Sequence, residues 1–461
     1  MTRSCDNGAG ARGTIPSQPS RKPGERGAWR GWRALAVGLG LLGMTIPPAG
    51  PAHAQDGDKT IKVGIVSFLS GQAAQSFGVP AVNGGKVLIE KFNAGEAPAP
   101  YNKAGMGGLA IEPVIIDEAG GATVQVQEFR NLVQRENVDV VVGYVSSGDC
   151  LAIAPVAEEL KQFTILYDCG TPRVFEERDY QYVFRTAAHA TQDNVGLARY
   201  LKQAGVEVNT FAGINQDYAW GQDSWADFTA AMGQIFPDAK VAAALFPAFG
   251  AGQYGTEISA LMQAQPDVVH SSLWGGDLQA FVLQALPRGL FQRSQAALSA
   301  ADHVLPPLGG NMPEGVVIGA RGSYGYLAPE SELNSWWRKT YEDEYDVIPV
   351  QAPYRMAQAL FGLKVAVEKA MDANGGTKPT DEQLAEAMTN LSWESPGGLI
   401  EMVNGKGHQA IQPIAFGRTV KKDGDVVIDD IIRFDARCVN PPADMKGLDW
   451  IKAGFPGAKC D

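Results

Sequence analysis

The hydrophobic residues in the first half of the chain fall into short apolar runs separated by longer amphipathic stretches. Two of these stretches, 79–93 and 122–134, place apolar residues at helical spacing. The runs have the length of β-strands and cover residues 59–68, 109–117, 138–144, 163–168 and 182–186. Strands that alternate with helices predict βαβ units, in which a right-handed crossover returns the chain to a parallel sheet. The runs are almost continuously apolar, which is typical of strands covered on both faces.

The same pattern starts again near residue 210 and predicts a second unit of this kind. Its apolar runs cover 210–216, 240–248, 267–274 and 314–320, with helical stretches at 191–204, 220–236, 252–265 and 277–286. Further helices are predicted at 331–345, 351–373 and 381–391, and strands follow them. The predicted fold class is therefore α/β, with two doubly wound lobes.

The first 54 residues have the features of a cleavable signal peptide. Arg30 and Arg33 precede the apolar run ALAVGLGLLGMTI, and the segment ends in the small-x-small pattern of residues 52–54. The run is shorter than the roughly 20 residues that span a bilayer, and no later stretch is apolar enough. We expect export to the periplasm and a mature chain from about Gln55, without direct membrane insertion.

The charge of the mature chain excludes some partners. The full chain has 39 Lys plus Arg and 51 Asp plus Glu, and without the seven basic and two acidic leader residues the formal net charge is −17. Such acidity argues against binding to nucleic acid or to anionic membrane surfaces.

Four cysteines remain after the leader, which contains Cys5. An even number in an exported chain predicts disulfides, although four free thiols are the alternative. Four cysteines allow three pairings, and proximity along the chain favours two short loops. These are Cys150–Cys169 and Cys438–Cys460.

The sequence lacks the common motifs of catalysis. It contains no GxxxxGK[ST], HExxH or CxxC motif, and GYVSSG differs from the GxSxG nucleophile elbow by one residue. The histidines of the mature chain lack zinc-ligand spacing. We therefore expect a protein that is not an enzyme and that uses no metal and no cofactor.

Small hydroxyl residues follow two consecutive strands of the first unit. Ser146 and Ser147 lie where a strand meets a helix, and Thr171 lies in the next such loop. Ligands of open α/β sheets bind at the carboxyl ends of the strands, where helix N-termini offer free N–H groups to anions. The pattern favours a carboxylate site, and the alternative is that these hydroxyls only cap their helices.

Two loops of the second unit carry aromatic residues. Tyr218 lies in NQDYAWG and Trp274 in LWGGD, each between a strand and a helix. Both could close over a small apolar or aromatic ligand. The alternative is that they are core residues.

The ordered set of these segments resembles a known family. The opening IKVGIVSFLSGQAAQSFGVPAVNGGKVLIEKFNA is followed by VVVGYVSSGDCLAIAPVAEE, YVFRTAAHATQDNVGLARYL, NQDYAWGQDSWADF, DVVHSSLWGGD, APYRMAQALFGLKVAVEKA and SPGGLIEMVNGKGHQAIQPIAFGR. Behind an export signal, this set resembles the type I periplasmic solute-binding proteins of ABC transporters, in the leucine/isoleucine/valine-binding family. The resemblance extends from about Thr60 to Val420.

The resemblance implies two lobes joined by a three-crossing hinge, with the ligand in the cleft between them. Lobe one would comprise 55–188 and 322–412, and lobe two 189–321 together with the strands and tail of 413–461, after a signal peptide at 1–54. The function implied is capture of a small ligand by hinge closure, as a monomer, and its delivery to an inner-membrane ABC permease.

The resemblance also implies a set of ligand-binding residues. An acidic residue that holds a ligand ammonium would correspond to Ala301 or Asp302, but the usual Gly-Pro-Glu context is missing, which argues against an amino acid. The alternative for Asp302 is a surface acid. The carboxylate site of lobe one would consist of Ser146 and Ser147 together with the loop residues Cys169, Gly170 and Thr171. The aromatic residues of the cleft would be Phe77 in lobe one and Tyr218 and Trp274 in lobe two.

The predicted ligand is a small carboxylate such as a branched-chain or other hydrophobic amino acid or an aromatic acid, with amides and urea as further candidates. Two other functions stay open at this point. The chain could be a sensing module that presents its closed form to a membrane receptor, or an exported hydrolase. A purely structural periplasmic protein is a third alternative.

Overall fold

The computed structural model describes residues 59–460, so the predicted signal peptide lies outside the described residues. These residues form two sheets that are covered by helices, which confirms the predicted α/β fold with two lobes. The strands are β1 Thr60–Ser67, β2 Ala110–Asp117, β3 Val140–Gly143, β4 Thr164–Leu166, β5 Val183–Arg185, β6 Thr210–Ile214, β7 Lys240–Leu245, β8 Val268–Ser271, β9 Gln295–Leu298, β10 Val317–Gly319, β11 Ser392–Ser395, β12 Gly398–Asn404, β13 Gln409–Ile411, β14 Ile414–Lys422 and β15 Asp425–Phe434.

The fifteen α-helices of residues 59–460 are α1 Val79–Ala94, α2 Ala122–Gln134, α3 Ser147–Leu160, α4 Arg173–Glu176, α5 Ala190–Gln203, α6 Ala219–Ile235, α7 Gly255–Ala264, α8 Gly275–Ala285, α9 Leu290–Arg293, α10 Leu305–Leu308, α11 Glu332–Tyr345, α12 Gln351–Asn374, α13 Asp381–Met388, α14 Ala436–Val439 and α15 Gly447–Lys452. Nine of these fifteen correspond to the predicted helical stretches, and α3, α4, α9, α10, α14 and α15 are additional. A π-helical turn, Ala74–Gly78, precedes α1.

The sheet of lobe one has the strand order β11-β12-β13-β5-β4-β3-β1-β2. Strands β1 to β5 pair in parallel, and β13 joins them in parallel through β5. Strands β11, β12 and β13 pair antiparallel to one another. The parallel strands all end at one edge, so the loops after β1, β3 and β4 lie side by side.

The sheet of lobe two has the order β15-β14-β10-β9-β8-β6-β7, with β14 and β15 antiparallel at one side. The chain passes between the two sheets after β5, after β10 and after β13, which gives the hinge its three crossings. The lobe boundaries given above, at 188, 321 and 412, stay predictions.

Both sheets are buried on two faces, as the continuous apolar strands predict. In β3, Val140 and Val142 pack into one core cluster and Val141 into the cluster on the opposite face. In β8, Val268 and Val269 are divided between two clusters in the same way. Each lobe therefore has its own layered core, and the cleft lies where the two lobes meet.

Both predicted disulfides are present. Cys150 in the first turn of α3 is joined to Cys169 in the loop after β4, and Cys438 in α14 is joined to Cys460 near the C-terminus. The first bond ties two loops of the cleft edge together. The second fixes the tail to lobe two, because α14 packs against α5 and α15 packs against α6.

Candidate functional site

A cavity of about 270 Å³ lies between the lobes, at the carboxyl ends of the strands. This volume includes space that is open to solvent at the mouth of the cavity. Side chains from both lobes and from a hinge crossing enclose it. The lining residues are Phe77, Val145, Ser147, Asp168, Gly170, Tyr218, Trp220, Trp274, Ala300, Arg321 and Gln351.

One side of the cavity is formed by Ser147 and the loop 169–171, which we call the hydroxyl shelf. Ser147 is the first residue of α3, and its Oγ accepts hydrogen bonds from Gly170 N at 3.2 Å and from Thr171 N at 3.1 Å. These bonds occupy the lone pairs of the hydroxyl and leave its proton free to be donated. The free N–H groups and the dipole of the helix N-terminus favour an anion at the same place.

Two carboxyl groups lie behind the shelf without adding two full negative charges. Glu118 is fully buried and accepts hydrogen bonds from Val145 N at 2.9 Å and from Ser146 N at 2.7 Å. Burial, and then the nearby Asp149, raises the pKa of Glu118 well above its usual value. Burial likewise raises the pKa of Asp149 to about 6. The pair therefore keeps a proton at a pH where isolated carboxyls are ionised, which limits its repulsion of an anion on the shelf.

Gly170 leaves room for the side chains that face the shelf. A Cβ at this position would lie 2.3 Å from the Trp220 ring and 2.4 Å from Arg321 Nη2. Both distances are far below van der Waals contact. The approach of lobe two and of the hinge crossing to the shelf therefore requires glycine here.

The opposite side of the cavity is aromatic. Phe77 packs edge-on against Trp274 with ring centroids 5.3 Å apart. Trp274 Nε1 donates to the Tyr218 hydroxyl over 2.9 Å, and Trp220 Nε1 donates to Ser272 O over 2.8 Å. Their polar atoms are thus satisfied within the protein, and the rings are left as an apolar wall for a ligand.

Four buried charged residues, the ion cluster, join the lobes beside this wall. Arg321 follows β10 and donates from Nη1 to Asp168 Oδ1 over 2.7 Å and from Nε to Asp193 Oδ2 over 2.9 Å. Arg355 in α12 also donates to Asp168 Oδ1. The Arg321 guanidinium lies over the Trp220 ring, 4.2 Å from its centroid. The two cations balance the two acids, which is the condition for keeping such charges inside a protein.

The amide of Gln351, the first residue of α12, is positioned by a histidine. Gly275 N donates to His303 Nε2 over 2.8 Å, and burial lowers the pKa of His303 to about 3, so the neutral ring carries its proton on Nδ1. The amide atom 2.9 Å from Nδ1 is assigned as Gln351 Nε2, but two donors do not bond each other. The two amide ends have nearly the same shape, so the proton count favours exchanging them. With the ends exchanged, the oxygen accepts from His303 Nδ1, and the amide nitrogen of this lining residue takes the buried position that has no partner among the described residues.

The family to which the chain belongs follows from a family model. The periplasmic binding protein model matches residues 60–425, most of the chain. The chain belongs to the periplasmic binding protein family. No sequence among the curated proteins matches it.

Solved structures of this fold include transport proteins with different ligands. A solute-binding protein of an ABC transporter from Rhodopseudomonas palustris BisB5, in complex with 3,4-dihydroxybenzoic acid, is 22% identical, with a TM-score of 0.70 over 84% of this chain and 100% of that chain. An amino acid ABC transporter substrate-binding protein from Pseudomonas fluorescens Pf-5 is 17% identical, with a TM-score of 0.69 over 84% and 98%. A leucine-binding protein from Thermotoga maritima is 19% identical, with a TM-score of 0.65 over 81% and 99%.

The two lobes of this periplasmic binding protein are in contact across the cleft. Gln72 of lobe one accepts from Gly276 N over 3.0 Å through its carbonyl and donates to Gly250 O over 3.1 Å through its side chain. The Thr171 hydroxyl donates to Asp223 Oδ2 in α6 over 2.6 Å. These hydrogen bonds bridge the two lobes beside the cavity, as expected in a closed form of the cleft.

The structure brings five of the nine predicted ligand residues to the cavity of this binding protein and places four elsewhere. Ser146 caps α3, where its Oγ accepts from Asp149 N at 3.3 Å. Cys169 is held in its disulfide, and Thr171 uses its hydroxyl on lobe two. The five that line the cavity are Phe77, Ser147, Gly170, Tyr218 and Trp274.

Asp302 is the fourth predicted residue that does not line the cavity. Its side chain is fully buried, neither at the surface nor in the lining, and its Oδ2 accepts from Gln351 N at 2.8 Å. Burial raises the pKa of Asp302 to about 8. A carboxyl that is protonated at neutral pH and is bonded to the backbone has no negative charge to offer an ammonium group.

Sequence reasoning missed the polar residues of the lining, namely Asp168, Arg321 and Gln351, together with Val145, Trp220 and Ala300. A signal existed for Asp168, which lies in YDCGTP directly before the predicted Cys169 and Gly170. Arg321 and Gln351 have no such local signal.

The described residues 59–460 hold no group of three His, Cys, Asp or Glu side chains suited to a metal ion. Over the same residues, no helix combines the length and the apolar character needed to cross a bilayer.

Proposed function

We propose that the exported chain is the substrate-binding component of an ABC importer and captures a small carboxylate-bearing ligand. The observation that carries this proposal is the arrangement of the cavity, in which a hydroxyl shelf at a helix N-terminus faces an aromatic wall across the cleft. The ligand carboxylate would lie on the Ser147 hydroxyl, and its apolar body would lie between Phe77, Tyr218 and Trp274.

The ligand would be a hydrophobic amino acid or an aromatic acid. Four ring-bearing residues support an aromatic or apolar body, and the ligands named for the Rhodopseudomonas palustris relatives, 3,4-dihydroxybenzoic acid, 4-hydroxybenzoate and benzoate, are of this class. Hinge closure would enclose the ligand, and the closed form would dock on a permease in the inner membrane. A cleavable signal peptide at residues 1–54 would deliver the chain to the periplasm.

A thermal-shift screen tests this function. The mature chain, stripped of co-purifying ligand by unfolding and refolding with its disulfides intact, is screened with amino acids, benzoate-type acids, dicarboxylates, amides and urea. A ligand at about 100 times its Kd adds roughly 2.7 kcal/mol to the free energy of unfolding, so its melting temperature rises measurably. A shift with a carboxylate supports the proposal, and no shift across the panel contradicts it.

A further inference from the structure

One residue of the cavity lining, Asp168, has a buried carboxylate oxygen without a hydrogen-bond partner. Asp168 follows β4 and is fully buried, and its Oδ1 accepts from both Arg321 and Arg355. Its Oδ2 has no hydrogen-bond partner among the described residues. Asp168 is also one of the residues that line the cavity. Buried polar atoms in native proteins nearly always have a partner, so this oxygen requires an explanation.

The cavity itself can supply the partner. A carboxylate oxygen accepts only, so its partner must be an N–H or O–H group. A ligand that carried only a carboxylate would place a second negative charge near this oxygen and leave it unsatisfied. A ligand with a donor group would satisfy it through a charge-assisted hydrogen bond, which is the stronger kind.

We propose that the ligand brings a hydrogen-bond donor to Asp168 Oδ2, so that it is a carboxylate that also carries an ammonium or a hydroxyl group. This inference rests on the proposed function, and it replaces Asp302 with Asp168 as the acid that meets the ligand. The ammonium of an amino acid and the hydroxyl of a hydroxy acid share the required chemistry, and the experiment distinguishes them.

The test compares pairs of acids that differ in the donor alone. Calorimetric titration of the stripped native protein uses phenylalanine against 3-phenylpropionate, leucine against 4-methylpentanoate, and 4-hydroxybenzoate against benzoate. We expect the donor-bearing member of at least one pair to bind at least tenfold more tightly. A hydrogen bond to a charged group strengthens binding by about this factor or more. An advantage in the amino acid pairs identifies an ammonium, and an advantage in the benzoate pair identifies a hydroxyl.

Two matched variants show whether Asp168 causes the advantage. Asp168→Asn removes the negative charge from the cavity wall, and we expect the tenfold advantage to shrink to about threefold or less. Asp193→Asn removes the other acid that is bonded to Arg321, but Asp193 does not line the cavity. This control should destabilise the protein in the same way and leave the ratio within each pair unchanged.

The outcomes separate this inference from the proposed function. If donor-free acids bind as tightly as their partners, the inference is wrong and the proposed function stands. The inference is also wrong if the Asp168→Asn variant folds and keeps the full ratio. Should that variant fail to fold, the ratios of the native protein decide alone. If no acid of either kind binds, the proposed function fails and the inference fails with it.

Discussion

The hydroxyl shelf and the ion cluster border the same cavity, but they are assembled in different ways. The shelf joins Ser147 to backbone N–H groups only 23 and 24 residues further along the chain, in the loops of two consecutive strands. The ion cluster joins Asp168 to Arg321 and Arg355, which are 153 and 187 residues away. The shelf is a local product of one sheet edge, whereas the cluster exists only once two chain crossings, after β5 and after β10, have brought distant segments together.

This difference separates two tasks. The shelf offers donors to a ligand, and it also bonds to lobe two through the Thr171 hydroxyl and Gly170 O. The ion cluster links β4, α5, α12 and the segment after β10, so it fixes the hinge region as well as one end of the cavity. Variants of the cluster at positions other than Asp168 should therefore act mainly on folding, and variants of the shelf mainly on binding.

Arg321→Met gives the largest expected effect. The variant leaves Asp193 buried without its cation, and breaking such a pair from one side costs about 3–5 kcal/mol of the free energy of unfolding. Urea denaturation at neutral pH measures the loss. Arg130→Met is the control, because Arg130 pairs with Glu159 at the surface over 2.8 Å and should cost less than about 1 kcal/mol. Equal stability of the two variants would contradict the role given to the cluster.

Gly170→Ala comes next. The added methyl group would collide with Trp220 and Arg321 when the lobes are closed. Overpacking of this kind costs about 1–3 kcal/mol, which is roughly a 5- to 150-fold loss of ligand affinity. Calorimetric titration checks it. Gly148→Ala is the control, since a Cβ there meets nothing closer than 3.6 Å. Unchanged affinity in the Gly170→Ala variant would show that closure does not bring these groups together.

Ser147→Ala has a smaller effect on binding, and it also lowers stability because it removes the acceptor of the buried Gly170 and Thr171 N–H groups. Loss of a hydroxyl that meets a charged oxygen should weaken affinity by about 1–2 kcal/mol. Ser146→Ala removes a helix cap instead, so it should lower stability by about 1 kcal/mol and leave affinity unchanged. Titration and urea denaturation of both proteins distinguish the two hydroxyls. If both variants bind like the native protein, the shelf does not hold the ligand.

The same contrast explains which parts of the fold and of the site could be predicted. Strand periodicity and the order of elements predicted both lobes. The sequence also indicated that Ser147 and Gly170 lie together at the cleft, because they follow β3 and β4 and consecutive parallel strands end at one edge. Arg321 and Gln351 could not be found in this way, since nothing local marks which distant residue will meet a strand end.

Asp302 shows what loop position alone does not reveal. The acid lies in the expected loop of lobe two, after β9, and the loop does approach the cavity through Ala300. The side chain, however, turns to the backbone N–H of Gln351 at the start of α12. Its direction depends on a helix almost 50 residues further along the chain, which loop position alone does not reveal.

Asp302→Asn should therefore have the smallest effect on ligand affinity, within about 0.5 kcal/mol, because substitutions away from a contact are usually near neutral. The amide oxygen of asparagine can still accept from Gln351 N. Titration of this variant measures the effect, and the Asp168→Asn variant is its comparison. A large loss at position 302 with none at position 168 would restore Asp302 as the acid that meets the ligand.

The stability of the Asp302→Asn variant should depend on pH. Burial raises the pKa of the folded Asp302 carboxyl to about 8, while an unfolded aspartate titrates near pH 4. The stability that this group contributes is full below about pH 4 and is lost as the pH rises toward 8. Asparagine has no proton to lose, so the stability of the variant relative to the native protein should increase over this window. Urea denaturation at pH 4, 6 and 8 checks the sign, and a constant difference would contradict a protonated carboxyl.

The central claim is that the shelf recognises a carboxylate, and a comparison of acids with their primary amides tests it most directly. Calorimetric titration of the stripped native protein would use leucine, phenylalanine, benzoate and 4-hydroxybenzoate, each beside its amide. We expect at least one acid to bind and its amide to bind at least tenfold more weakly, because a charge-assisted hydrogen bond is lost. An amide that binds as tightly as its acid would contradict the claim.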